Sequence, residues 1–300
     1  MKLLSDVGED ALIAALIAHM PQFDAKSAQP SDDCAVLSQA DFYLTDLLLK
    51  TDAMIEGIHF TQEMSARAIG WKAIARVSSD FAAMGGQPHS FMVTVALPAS
   101  TSLAWIEEVY QGMADCMHAF GGKLVGGETS RMPLGAPCVF SISALGTVPK
   151  NRAMLRSTAK PGDVIFVTGK LGGSFAGKHL SFSPRIEHGR WLLDHFRVTA
   201  MMDLSDGIAK DLPRMAQASD CGFQLDLTAI PFTTGCGLNE ALHDGEDYEL
   251  LLAVAPSDAG NLLEVWGVRF PELPLTRIGH FVKAGSGDVL SGGWDHFPAV

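Results

Sequence analysis

Apolar segments of two different periods follow one another along this chain, and that succession restricts it to folds in which helices pack on sheets. The clearest helical run is ARAIGWKAIARVSSDFAAMGG. In it Ile69, Ala73, Ile74, Val77 and Phe81 recur at three- and four-residue steps, and a glycine pair closes the run. FYLTDLLLKTD before it and SFMVTVALP after it read as strands, Leu103 to Phe120 as a second helix, KLVGGE as a short strand and PCVFSISALGTVP as a long one. Around PKNRAMLRSTAKPGD the pattern lapses and Pro, Lys and Arg collect, which marks a connection between two units. A second series follows. DVIFVTG is a strand, Arg185 to His195 a helix, TAMMDLSDG a strand turning into a helix, and FQLDL and the buried DYELLLAV are strands. A helix at Leu262 to Trp266 and a strand at Leu275 to Val282 complete it. The expectation is an α+β chain of two mixed-sheet domains, 1–149 and 150–300, rather than a doubly wound sheet or a P-loop fold.

The net charge of -12 over 300 residues argues against a nucleic-acid backbone or an anionic membrane as partner. An acidic protein acting on phosphates needs a cation between the two, and Mg²⁺ would supply it. The five cysteines (Cys34, Cys116, Cys138, Cys221, Cys236) are scattered, odd in number and without a C-x-x-C, as expected of reduced thiols in a cytoplasmic protein. The run ALIAALIAHM is too short to span a bilayer and follows acidic rather than basic residues, so it reads as an amphipathic helix packed on the body.

The residues that carry chemistry are carboxylates beside small residues at element ends. They are Asp32 and Asp33, Asp52 after Thr51, Asp80 after Ser79, Glu128, Asp203 and Asp206 around Ser205, and Glu246 with Asp247. Taken singly, each is accounted for as a helix cap or turn residue. Taken together they are not, because Asp52 and Glu128 end apolar strands, where a cap has no purpose and a lone charge is costly. Oxygen donors of this kind suit Mg²⁺ bridging to phosphates. His59, in EGIHF, follows the Thr51–Asp52 turn and is placed to reach a substrate phosphate. GGSFAGKH, Gly172 to His179, matches G-x-x-x-x-G-K, but His179 stands where a hydroxyl should hold the metal. Pro184 follows Lys178 by six residues and discourages the long helix that a P-loop requires.

Read in order, TDAMIEGIHF, GWKAIARVSSDFAAMGG, LVGGETSR, LRSTAKPGDVIFVTG, MDLSDGIAKDL and GEDYELL resemble the thiamine-monophosphate kinases, of the aminoimidazole ribonucleotide synthetase-like superfamily. The resemblance covers nearly the whole chain. It implies ATP- and Mg²⁺-dependent phosphorylation of thiamine monophosphate to thiamine diphosphate by direct in-line transfer. It also implies a homodimer formed through the N-terminal domain and a nucleotide cleft completed by the C-terminal one. Carried over by residue, Asp33, Thr51, Asp52, Asp80, Glu128, Asp203 and Asp206 would hold Mg²⁺. Gly127, Glu128, Arg156 and Ser205 would meet ATP, and His59, Glu246 and Trp294 the thiamine phosphate. The family's usual Asp, Asn, Ser/Thr and acidic residue are replaced here by Glu128, Val77, Lys50 and Gly173. The alternatives are a divergent superfamily member acting on another phosphorylated acceptor and a non-catalytic nucleotide-binding protein. A P-loop NTPase, a reading from a different class, would have Lys178 grip phosphate and start a long helix.

Overall fold

The computed structural model describes residues 32–37 and 44–297; the expected N-terminal amphipathic helix lies outside them. The first sheet contains β1 (Ala35–Leu37), β2 (Thr45–Ile55), β3 (Gln87–Pro98), β4 (Lys123–Met132) and β5 (Val139–Pro149), in the order β1-β2-β5-β3-β4. Only β3 and β4 run parallel within it. Between its strands run α1 (Ala66–Ala83) and α2 (Leu103–Phe120). The second sheet contains β6 (Val164–Thr168), β7 (Val198–Asp203), β8 (Cys221–Leu225), β9 (Leu250–Val254) and β10 (Leu275–Lys283). Its order is β7-β9-β6-β10-β8 and every pair is antiparallel, so the mixed pairing belongs to the first sheet. The accompanying helices are α3 (Ile186–His195), α4 (Ile208–Ala218), the short α5 (Leu238–His243) and α6 (Pro256–Arg269). Among the described residues no helix is long and apolar enough to cross a membrane. KLVGGE is part of a ten-residue strand, and the helix read at Leu262 to Trp266 extends over fourteen residues because Pro256 can start it at its first turn.

α1 decides how the two halves meet. Ser65 caps its start by accepting the Ala68 amide at 3.4 Å. Nearly every residue after Ile69 is buried, including Lys72, Ser79 and Asp80, because α1 packs against strands of the first sheet, against α2 and α3, and against β7. The close crossings depend on missing side chains. A Cβ on Gly70 would lie 1.8 Å from the Val109 carbonyl oxygen, and one on Gly112 would lie 1.8 Å from that of Arg67. One continuous core therefore joins both halves. The period of two in β6 and β9 shows it: Val164, Phe166, Leu250 and Leu252 face the α1 side, while Ile165, Val167, Leu251 and Ala253 face α4.

Candidate active site

Two periodicities aim polar groups into the space beside α1. On the helix, Lys72, Arg76, Ser79 and Asp80 follow at steps of four, three and one and share a face. On β2 the alternation puts Asp46, Leu48, Lys50, Asp52 and Met54 on one side of the sheet and Thr51 on the other. Asp33 stands just before β1 and Asp203 ends β7. Asp33, Asp80 and Asp203, all buried, bring one carboxylate oxygen each to within 4.8 Å of one another. Ser79 donates to Asp203 at 2.5 Å, and the Arg156 guanidinium donates to Asp33 through Nε at 3.1 Å and again through Nη2. Lys50 Nζ donates to Asp80 Oδ1 at 2.6 Å.

The electrostatics describe a centre with surplus negative charge. Burial pushes Asp80 up to about 8, with Asp52 and Asp33 adding to the rise and Lys50 opposing it. Burial, then the neighbouring Asp80 and Asp33, raise Asp203 well above the usual carboxylate range. A donor set of three carboxylates, short of positive charge, fits a hard divalent cation such as Mg²⁺.

A second polar cluster surrounds Lys72, whose side chain is fully buried. Its ammonium donates to the His59 carbonyl at 2.7 Å and to Glu246 Oε2 at 2.7 Å, and it lies 2.6 Å from His179 Nδ1, which is itself 3.1 Å from Glu246 Oε2. Burial outweighs Glu246 and lowers Lys72 to about 8. Against its own burial, Glu246 is held down to about 2 by His179, Lys72 and Arg76. Burial and then Arg76 lower His59 to about 4. The segment that supplies Glu246 is bent unusually: Gly245, Glu246 and Tyr248 have φ of 69°, 52° and 52°. Such backbone is costly outside glycine and persists where the surroundings fix it. Here the Glu246 amide donates to Ser205 O at 2.7 Å and the Tyr248 amide to Leu204 O at 2.8 Å. The bends send neighbouring side chains to different anchors. Glu246 meets Lys72, Asp247 accepts from Lys178 at 2.8 Å, and Glu249 accepts from Arg185 Nε at 2.8 Å.

The sequence-nominated residues divide accordingly. Asp33, Asp80 and Asp203 converge, with Arg156 attached to Asp33 and Asp52 on the Lys50 face of β2. Thr51 points to the opposite side and lies 3.2 Å from the Ser143 hydroxyl. Glu128 is on β4, exposed along almost its whole length, with Ser130 Oγ donating to it at 3.5 Å. Gly127 faces Val93 so closely that a Cβ would lie 2.1 Å from the Val93 carbonyl oxygen. Asp206 is paired with Arg214 at 2.5 Å, and the Ser205 amide donates to Asp211 at 3.0 Å. Trp294 reaches His59 indirectly: its ring is 6.0 Å from that of His296, which is 5.9 Å from His59. Lys72, Arg76 and His179 were missed by sequence reasoning. The signal for the first two was present, since cations four residues apart in so apolar a helical run have no solvated face to occupy. GGSFAGKH forms two single turns, Ser174–Ala176 and Lys178–Leu180, with Lys178 committed to Asp247.

Residues 31–148 match the family model AIR synthase related protein, N-terminal domain, and residues 183–291 match AIR synthase related protein, C-terminal domain. The thiamine-monophosphate kinase of Rhodopirellula baltica is 35% identical over 291 residues, covering 91% of this chain and 89% of that protein. The chain belongs to the thiamine-monophosphate kinase family. The Escherichia coli K12 thiamine-monophosphate kinase is 34% identical, covering 89% of this chain and 90% of the relative. Among solved structures, AaThiL complexed with AMPPCP and TMP matches with a TM-score of 0.84 at 27% identity, covering 99% of both chains. The hydrogenase maturation protein HypE of E. coli, 20% identical with a TM-score of 0.69 over 96% of both chains, shares the fold. The two-domain synthetase-like α+β architecture expected from the motifs is thus the fold of this family member.

Proposed function

We propose that this chain transfers the γ-phosphoryl group of ATP to the phosphate of thiamine monophosphate, giving thiamine diphosphate and ADP. The observation that carries the reading is the convergence of Asp33, Asp80 and Asp203 from three separate segments beside Arg156. It occurs in a chain whose fold matches a structure holding AMPPCP, an ATP analogue, and TMP. The acceptor is a phosphate oxygen already deprotonated near neutral pH, so no strong general base is required. The difficulty is to align two anions that repel each other, and positioning with charge compensation is most of what phosphoryl transfer asks of a protein. Direct in-line transfer in one cleft follows, with no phosphoenzyme.

Asp33, Asp80 and Asp203, with Asp52 adjoining, would hold Mg²⁺; Thr51, Glu128 and Asp206 are the further candidates. When bound, the metal supplies charge neutralisation on the phosphates. Gly127, Glu128, Arg156 and Ser205 are assigned to ATP, and His59, Glu246 and Trp294 to the thiamine phosphate. Lys72 and His179 fix Glu246 in its place at the substrate end. Residues 1–149 form the metal-binding and dimerising domain, and 150–300 complete the cleft. The homodimer is supported by β4, an edge strand that exposes Leu124 and Val125 together with Glu128. The compartment is the cytoplasm, in keeping with five free cysteines.

The test is ADP release with ATP, Mg²⁺ and thiamine monophosphate, together with calorimetric titration of ATP and Mg²⁺. Turnover dependent on thiamine monophosphate is expected; ATP binding without turnover on that acceptor would refute the kinase reading. Asp80→Asn should abolish metal-dependent turnover while the circular dichroism spectrum and melting temperature remain close to wild type. Retained turnover would remove Asp80 from the metal centre.

A further inference from the structure

We propose that the Lys50 ammonium is a resident cation of the acidic centre, occupying a position that would otherwise take a divalent ion, so that this chain binds one fewer metal than its carboxylates allow. The inference rests on the reading of Asp33, Asp80 and Asp203 as a metal centre. Its own basis is geometric. Lys50 Nζ lies 2.6 Å from Asp80 Oδ1, and Asp80 is one of the three converging carboxylates. β-alternation places Asp52 on the same face of the strand two residues on, and Asp52 and Asp80 both act electrostatically on the ammonium. The ammonium is therefore held from its own strand and from α1 at once.

An ammonium and a divalent ion compete for the same carboxylate oxygens, because each needs a lone pair at short range and the two cations repel. Asp80 Oδ1 accepts from Lys50, so one of the lone pairs that the three carboxylates could offer to divalent ions is already taken by an N–H donor. The lysine side chain is 23% exposed and that of Asp80 is 7% exposed, so little water screens the contact. An ammonium tethered to the chain, unlike a metal ion, is present at every metal concentration. The expected consequence is an enzyme that reaches full occupancy of its metal positions with fewer ions.

The experiment counts ions directly. Free Mn²⁺ is measured by electron paramagnetic resonance in titrations of the full chain with saturating AMPPCP, for wild type, Lys50→Thr, Lys50→Met and Lys50→Arg. Circular dichroism and melting temperature confirm that each variant is folded. Lys50→Thr is expected to bind one more Mn²⁺ per chain than wild type, since it removes a cation and leaves room for a ligand. Lys50→Met, which keeps the stem and loses the charge, is expected to bind Mn²⁺ at least about tenfold more tightly than wild type. Lys50→Arg should match the wild-type count. If the four proteins bind equal numbers of ions with affinities within a factor of two, the Lys50 proposal is overturned and the metal centre stands. If none binds Mn²⁺ beyond the ion carried by AMPPCP, the metal-centre reading fails and takes the Lys50 proposal with it. Should Lys50→Thr not fold, Lys50→Met and Lys50→Arg decide the question by affinity alone.

Discussion

Replacing Lys72 by methionine tests whether the second polar cluster is held together by one buried cation. The side chain is fully buried and its ammonium donates to the His59 carbonyl and Glu246, beside His179 Nδ1. The two ends of the ion pair point in opposite directions. Glu246 is held at about 2 against an ordinary 4.5, which at about 1.36 kcal/mol per pH unit is a net stabilisation of its charge of about 3 kcal/mol. Lys72 is lowered to about 8 from 10.5, so burial costs the ammonium more than its partners return. The carboxylate decides the outcome, because it remains in the variant while the buried ammonium and its penalty are gone. His179 and Arg76 keep part of its stabilisation, which leaves roughly half, about 2 kcal/mol, to Lys72. The buried His59 carbonyl adds about 1 kcal/mol when left unpaired. Lys72→Met is therefore expected to lose about 2–3 kcal/mol in urea denaturation at pH 7. Lys72→Met with Glu246→Gln should be more stable than the sum of the single changes by about 1–2 kcal/mol. A loss below about 0.5 kcal/mol for Lys72→Met, or additive single effects, would refute the account.

Other consequences can be checked separately. Lys178→Ala should destabilise the chain by about 1–3 kcal/mol, because Asp247 is buried and loses its cation, yet leave the KM for ATP within about twofold. A selective rise in that KM would restore the phosphate-loop reading of GGSFAGKH. His188 packs against Phe270 and Trp266, and burial, followed by Arg185 and Arg269, lowers it to about 4. Its unfolded form takes up a proton near pH 6.5 and its folded form only near 4, so stability falls as pH drops through that window. From pH 7 to pH 5 the loss works out at about 2 kcal/mol, and His188→Leu should remove it from the difference between denaturation curves at those two pH values. An unchanged difference would show that His188 is not buried neutral.

The site was legible in the sequence where a residue's setting betrayed it, and not where distance in the chain had to be closed. Asp52 and Glu128 could be nominated because each reads as a charge at the end of an apolar strand, which is costly unless it serves something. Asp80 and Asp203 could be nominated because they repeat the pattern of carboxylates close to small residues at element ends. Thr51 and Asp52 are adjacent in the sequence and were nominated together, yet strand alternation sends their side chains to opposite faces of β2. Glu128 was nominated on the same grounds as Asp52, but its strand is an exposed edge and its carboxylate is outside the converging trio. His179 and Pro184 already spoke against Lys178 as a phosphate ligand in the sequence, but its actual partner, Asp247, is 69 residues on and only the fold brings it near.

By itself the sequence determined the elements and their order, because the 3.6- and 2-residue periods are local and each turn residue acts on its own neighbourhood. It also determined the family, through motifs each confined to one short stretch of the chain. Only the tertiary structure decided that α1 lies between both sheets, so that a lysine in its middle meets Glu246 across 174 positions and a serine near its end meets Asp203 across 124. Only the fold decided that Lys50 turns toward Asp80. Those contacts depend on helices approaching closely enough at Gly70 and Gly112 to bury α1, and burial is what gives its few charges their partners and their strength.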